Sequence, residues 1–266
     1  MRSCANPVRE IRGFRGAVLG YTASFNQEDS LRPMSSTGSH PRIVSLALVL
    51  TAFVGMPAGH ITFAQQDPGK EELKLQLPRP MFIGTPSNVK SPNLEPVTGK
   101  SRGPFYVPKG TRLLSLNKPV TSSDMQPVIG ELNFVADGEK SGEDGYSVEL
   151  GPGAQWVQID LRASSTLQAI LLWHYHSQAR VYRDVVVQVS DDKDFLRGVT
   201  AVFNNDHDNS AGLGIGKDKE YIEVAEGRLI DTKGVKGRYV RLYSGGNTSN
   251  DLNHYVEVEV YGTPAK

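Results

Sequence analysis

The sequence predicts an all-β fold, a β-sandwich, on three observations. After residue 111 the chain consists of short runs in which apolar and polar residues alternate, the two-residue period of a half-buried strand. Gly, Asp, Asn and Ser interrupt those runs every 8–15 residues, as turns between strands require. No stretch carries the 3.6-residue apolar period of a long amphipathic helix. Roughly 150 residues take part, enough for one sandwich domain.

Composition bounds the rest. The 266 residues include 29 Lys and Arg, 29 Asp and Glu, and 38% hydrophobic side chains. That apolar share fills an ordinary core and is too high for wholesale disorder. A formal charge of zero removes the bulk attraction to nucleic acid or an anionic membrane, so neither is expected as a partner. The single cysteine, Cys4, excludes a disulfide framework and any cysteine-based zinc or iron–sulfur centre.

The first element reads as an export signal. Residues 43–56 (IVSLALVLTAFVGM) form an uncharged apolar run between Arg42 and Pro57. The run falls short of the roughly 20 apolar residues that span a bilayer. A basic flank, a short apolar stretch and small residues at Thr62 and Ala64 place signal cleavage after Ala64. Met34 followed by SSTGSHPR gives a normal n-region, so residues 1–33 read as an over-extended start within the 1–64 leader. A membrane anchor with a cytoplasmic tail is the alternative. Without residues 1–64 the chain keeps 23 basic and 26 acidic residues and no cysteine. The expected location is secreted, periplasmic or cell-surface, with no transmembrane anchor in the mature form.

Residues 65–110 carry prolines at 68, 78, 80, 86, 92, 96, 104 and 108 and sustain neither apolar period. Proline fixes φ and removes a backbone donor, so this stretch is expected to be extended, as a linker or as a strap on the domain surface. The domain itself is assigned to residues 111–266. Within it, 156–161 places Val157, Ile159 and Leu161 on one face. Residues 167–175 are apolar on both faces, as a central strand requires. Residues 184–190 align Val185, Val187 and Val189, and 238–243 turn Val240 and Leu242 inward. The last run, 255–261, sets Val256, Val258 and Val260 opposite Glu257 and Glu259.

Four of these motifs carry a family resemblance. WVQIDL (156–161), VVVQVSDDKDF (185–195), GRYVRLY (237–243) and VEVEVYG (256–262) resemble the discoidin, or coagulation factor V/VIII type C, domain. The likeness covers about residues 112–262 and implies a galactose-binding-like jelly-roll sandwich, the fold of many carbohydrate-binding modules. HYHSQARVYRD and FNNDHDNSAGLGIGKDKEY, in the middle of the domain, depart from the family pattern.

The loops supply candidate chemistry. A sugar offers an apolar ring face and a fan of hydroxyls, so its site wants an aromatic platform beside planar Arg, Asn or Asp groups. His174, His176, Arg180, Arg183, Asn204, Asp206, His207, Asn250 and His254 are the expected ligand-binding residues, in segments 174–183, 203–210 and 244–255. The resemblance implies a His–Arg–Asn trio with an aromatic platform, matched by type in His176, Arg180 and Asn204. The same loops also read as Asn- and Asp-rich turns that hydrogen-bond their own backbone. The resemblance further implies structural Ca²⁺ at Asp137 of the Asp137-Gly138 turn, held with Glu257; a plain Asx-turn is the alternative.

Three functions are thus open. The expected one is a non-catalytic exported module that recognises carbohydrate or a glycoconjugate. A metal-dependent hydrolase would use His174, His176, His207 and His254, although no nucleophile elbow or HExxH helix occurs. A structural surface-anchoring domain is the third. Gly212–Lys217 lacks phosphate-loop spacing, and Asp191–Asp194 directly follows a strand and reads as a solvated turn. Asn247-Thr248-Ser249 is a glycosylation sequon.

Overall fold

A computed structural model describes residues 67–82 and 89–265. The expected export signal and its cleavage site lie outside the described residues. Twelve strands occur among the described residues: β1 Lys70–Glu72, β2 Tyr106–Pro108, β3 Arg112–Leu113, β4 Val120–Ser122, β5 Val148–Leu150 and β6 Gln155–Trp173. Then come β7 Val186–Ser190, β8 Thr200–Asn204, β9 Arg228–Asp231, β10 Lys236–Ser244, β11 Asn253–Tyr255 and β12 Glu257–Pro264. A short 3-10 turn, Leu132–Ala136, is the one helical element there. No helix of the described residues is long and apolar enough to cross a membrane.

The architecture is an antiparallel jelly-roll β-sandwich, and β6 builds both of its layers. Its first half pairs with β4 and β10, and β10 continues to β7 and β8. Its second half, from Ser165 to Trp173, pairs with β12 and β9, and β12 carries β3. Between the halves Arg162 adopts φ +71°, its N–H donated to the Asp160 carboxylate, and the β10 register shifts between Gly237 and Tyr239. A chain that changes sheets needs such an irregularity, because a regular strand stays in one ladder.

The predicted alternations fill the space between the layers, except at Val256, which precedes β12 and packs on the outer face instead of beside Val258 and Val260. Val157, Ile159 and Leu161 meet Leu167, Ile170 and Leu172, with Val187, Val189, Val240, Leu242, Val258 and Val260 in the same core. The run that was apolar on both faces has a second partner. Ala169, Leu171 and Trp173 face outward with Val256 and Tyr261, under Leu73, Leu75 and Phe105 of the proline-rich segment and Leu113 and Leu229. That segment thus lies on the domain as a strap. β1 and β2 pair within it, and it is tied to the domain by Arg102 donating to the carbonyls of Glu226 and Gly227 and by Arg228 on Glu95. The strap also contributes two short strands, where the sequence pattern indicated none.

β8 and β9 likewise lack a clear alternation in the sequence. Phe203 of β8, grouped above with a loop, is buried in the core. Glu257 and Glu259 are buried as well.

Strand pairing gathers the candidate loops at one end. Tyr243 lies opposite Val186, Val186 opposite Asn204, Ser244 opposite Gln155, and Ser122 opposite Val157. In the other layer Glu257 lies opposite Trp173. The segments 123–154, 174–185, 205–227 and 245–252 therefore project from the same end of the sandwich. The hydroxyl of Tyr255, in β11, closes the layers there, within 3.0 Å of Ser244 Oγ.

Candidate functional site

Segment 174–183 leaves β6 and is pinned on both sides. Thr248 N–H donates to the Val181 carbonyl, Arg183 N–H to Gly246 and Glu223 N–H to Arg180. Loop 245–248 and segment 221–224 therefore flank it. Side chains from four segments meet in the resulting cluster. His174 Nδ1 lies 2.6 Å from Glu223 Oε1, both groups fully buried. The His174 ring stacks on Tyr182 at 4.2 Å between centroids, 15° from parallel. The Tyr182 hydroxyl is 2.9 Å from His254 Nδ1, and His254 Nε2 is 3.3 Å from Glu149 Oε2.

Electrostatics follow from burial. Desolvation lowers His254 to about 4, helped by the charges of Arg180 and His174. A neutral His254 with its proton on Nε2 satisfies both contacts, accepting from Tyr182 and donating to Glu149. Burial and the nearby Glu223 raise Tyr182 far above its usual value, so its hydroxyl keeps its proton. Tyr221 is raised for the same two reasons.

A stripe on this end faces outward. Ile129 pairs across to Glu149, and Glu149 to His254, so the three side chains share a face. Tyr175 continues the stripe 5.9 Å from the His254 ring, and the Arg180 guanidinium lies 4.5 Å from the Tyr175 ring centre. Arg180 is only 9% exposed, and its Nε and Nη1 have no protein partner. Its one side-chain hydrogen bond is a long one, 3.3 Å to exposed Gln178.

The expected ligand residues divide. His174, Arg180 and His254 come together in this cluster. His176 is fully buried and donates Nε2–H to the Lys140 carbonyl at 3.0 Å. Arg183 and Asn250 stand at the rim; Arg183 lies 4.0 Å from Asp251, and Asn250 shapes its own turn with Asn247 and Leu252. Asn204, Asp206 and His207 belong to the neighbouring loop. The Asn204 amide is engaged there by Gly214 and the Asp206 N–H, and Asp206 accepts from Ser210 and Ala211. The His176, Arg180 and Asn204 side chains therefore share an end of the sandwich without sharing a contact. Glu149, Tyr175, Tyr182 and Glu223 complete the cluster. Only Tyr175 and Tyr182 had a sequence signal, as aromatics in a polar loop.

The four histidines do not converge on one ion. Among the described residues, the one group of three potential ligands within 4.8 Å is Asp184, Asp206 and Asp208, which contains no histidine. This corrects the hydrolase alternative: His174 and His254 are separated by Tyr182, and His176 is turned to Lys140. Asn247 of the sequon is buried, and its amide nitrogen binds Asn250 and Leu252. A transferase cannot reach it in the folded chain.

Of the residues expected to hold calcium, Glu257 stands at the start of β12, and Asp137 closes the 3-10 turn with its Oδ1 accepting the Glu139 N–H, the hydrogen bond of an Asx-turn. Gly138 N–H donates to Glu257 Oε2 at 3.1 Å, while Oε1 is buried without a partner. Burial pushes the Glu257 carboxyl up to about 8, against the Gly138 hydrogen bond, and nearby Glu259 and Asp137 add to the rise. The one close ammonium, Lys140, pairs with Glu259. A buried carboxylate oxygen with no donor, beside a second carboxylate, fits a hard cation.

No family model and no curated protein matches the chain. Among solved structures it is similar to the CBM32 module of AlyQ in complex with 4,5-unsaturated mannuronic acid. That match has 17% identity and a TM-score of 0.42, over 56% of this chain and 97% of the other. It is similar to chitosan-binding module 1 of a Paenibacillus sp. IK-5 chitosanase/glucanase at 22% identity and TM-score 0.36, over 57% and 99%. A Streptococcus pneumoniae fucose-binding module matches at 19% and 0.39, over 56% and 97%. A family 89 glycoside hydrolase of Clostridium perfringens matches at 16% and 0.43, over 57% of this chain and only 15% of the enzyme.

Proposed function

We propose that this chain is an exported, non-catalytic binding module for carbohydrate or a glycoconjugate, acting through the stripe at the loop end of its sandwich. One observation carries the reading: the Arg180 guanidinium lies against Tyr175 with two N–H groups unpaired, beside His254. A planar donor fork next to an aromatic ring meets both halves of a sugar, its hydroxyls and its apolar face. The side chain of Gln178, exposed and weakly bonded, is the group a ligand displaces to reach Arg180. Export rests on the leader pattern in residues 1–64, and places the protein outside the cytoplasm, secreted, periplasmic or at the cell surface. Probing a broad glycan array with the purified domain tests the reading. A defined set of bound glycans is expected; a profile at background throughout overturns it.

Calcium belongs to this proposal as a structural ion, with Glu257 Oε1 and Asp137 as ligands. Held by these two carboxylates, the ion would offset the burial of an ionised Glu257 with its positive charge. A ligand of the native state alone adds RT ln(1 + [L]/Kd), about 1.4 kcal/mol at a tenfold excess over Kd. The melting temperature should therefore rise with calcium and fall with chelator, and Asp137→Ala should remove the response. Coincident melting curves in calcium and chelator would leave an ordinary turn.

A further inference from the structure

The loop that carries the cation half-site does not end there. Glu257 fixes its first residues through Gly138 N–H. Two residues on, the Lys140 carbonyl accepts Nε2–H of His176. The Gly142 carbonyl accepts the Ser177 hydroxyl, and Asp144 Oδ1 accepts the Tyr175 hydroxyl at 3.2 Å. Three consecutive residues of the platform segment, Tyr175, His176 and Ser177, are thus stitched to one seven-residue loop, 138–144. The contact is also sterically tight. A Cβ on Gly142 would stand 2.8 Å from two atoms of the His176 ring, and the φ of Gly142 is +72°. Glycine is required at that point both for conformation and for space.

The His176 ring cannot yield readily, being fully buried, so a shift of the 138–142 backbone is passed to the 175–177 segment. Tyr175 in turn supports Arg180. The cation half-site and the ligand platform are therefore opposite ends of one packed connection.

We propose that loop 138–144 couples the two sites, so that cation uptake at Asp137 and Glu257 holds Tyr175 and Arg180 in their binding arrangement and raises glycan affinity. The proposal rests on the reading of Tyr175 and Arg180 as a glycan platform. His176 and Gly142 act in it as positioning residues and do not touch the ligand. Linkage makes the effect reciprocal: glycan must tighten calcium by the same factor that calcium tightens glycan.

The test uses calcium alone as well as a glycan taken from the array. Calcium alone should move the ring NMR signals of Tyr175 and His176 in the wild-type domain. With chelator in place of calcium, glycan affinity measured by calorimetry should fall on the order of tenfold, within the usual range of coupling between sites. In Gly142→Ala the calcium-dependent rise in melting temperature should persist, while the Tyr175 response and the calcium dependence of glycan affinity disappear. Ser177→Ala, which removes one stitch without adding volume, should reduce both responses in part and serves where Gly142→Ala does not fold.

Calcium that raises the melting temperature yet leaves the Tyr175 signals and glycan affinity unchanged would overturn the coupling and leave both sites standing. Calcium with no effect on melting or on the ring signals would overturn it as well. A domain that binds no glycan while calcium still moves Tyr175 would sink the functional reading and leave the mechanical link supported.

Discussion

Replacing Arg180 with alanine is expected to weaken glycan binding roughly 10- to 150-fold, the equivalent of about 1.5–3 kcal/mol for a hydrogen-bonded charged group. The substitution deletes the only guanidinium on the outward stripe and leaves the ligand acceptors that it served unpaired. It also removes the cation from the face of Tyr175, which loosens the aromatic platform itself. Because Arg180 is 91% buried, a modest loss of stability accompanies the loss of affinity, in contrast to the behaviour of an exposed loop residue. Arg180→Lys should recover little, since an ammonium offers no planar fork. Calorimetric titration of both variants at a temperature where each is fully folded separates affinity from stability. Affinity unchanged in Arg180→Ala would remove Arg180 from the site.

Acid should destabilise the domain through His254, and the sign follows from its environment. The folded imidazole is held near 4 by burial, Arg180 and His174, against 6.5 for a free side chain. As pH falls below 6.5 the unfolded chain takes up a proton that the folded chain refuses, so stability declines from there down to about 4. The full shift corresponds to about 3 kcal/mol, at roughly 1.4 kcal/mol per pH unit. His254→Gln keeps a donor and an acceptor without the titration. The stability difference between pH 7 and 5 in denaturant titrations should be about 2 kcal/mol smaller in the variant than in the wild type. Equal pH dependence in the two proteins would show that His254 titrates normally in the folded state.

The fold was largely legible because strand formation in a sandwich is written in two-residue alternation, and that pattern is local. Val157, Ile159, Leu161, Val240, Leu242, Val258 and Val260 all reach the core that their spacing predicts. The same locality limits the reading. β8 and β9 lie in stretches whose alternation is weak, and are strands because β7 and β6 offer them an open edge. The strap shows no period because it covers an existing apolar face, where Leu73, Leu75 and Phe105 need only match the spacing of Leu171 and Trp173.

For the site, residue types read along the chain show which loops carry imidazoles, guanidinia and aromatic rings, and that the domain lacks a disulfide frame. They do not show which of those groups meet. Glu223 stands in an unremarked run, 49 residues beyond His174, yet the return of segment 221–224 beside segment 174–183 makes them a buried pair. His176 has the same local pattern as His174, but a neighbouring loop takes up its Nε2–H and turns it into a support. Asn204, apt by type, is committed to its own loop by Gly214. A side chain's chemistry is fixed by its own atoms, whereas its partners are fixed by which distant segments the sheet order brings to one end. That order was decided only by the tertiary structure, where the two halves of β6 close the layers and carry His174 onto Tyr182 and Tyr255.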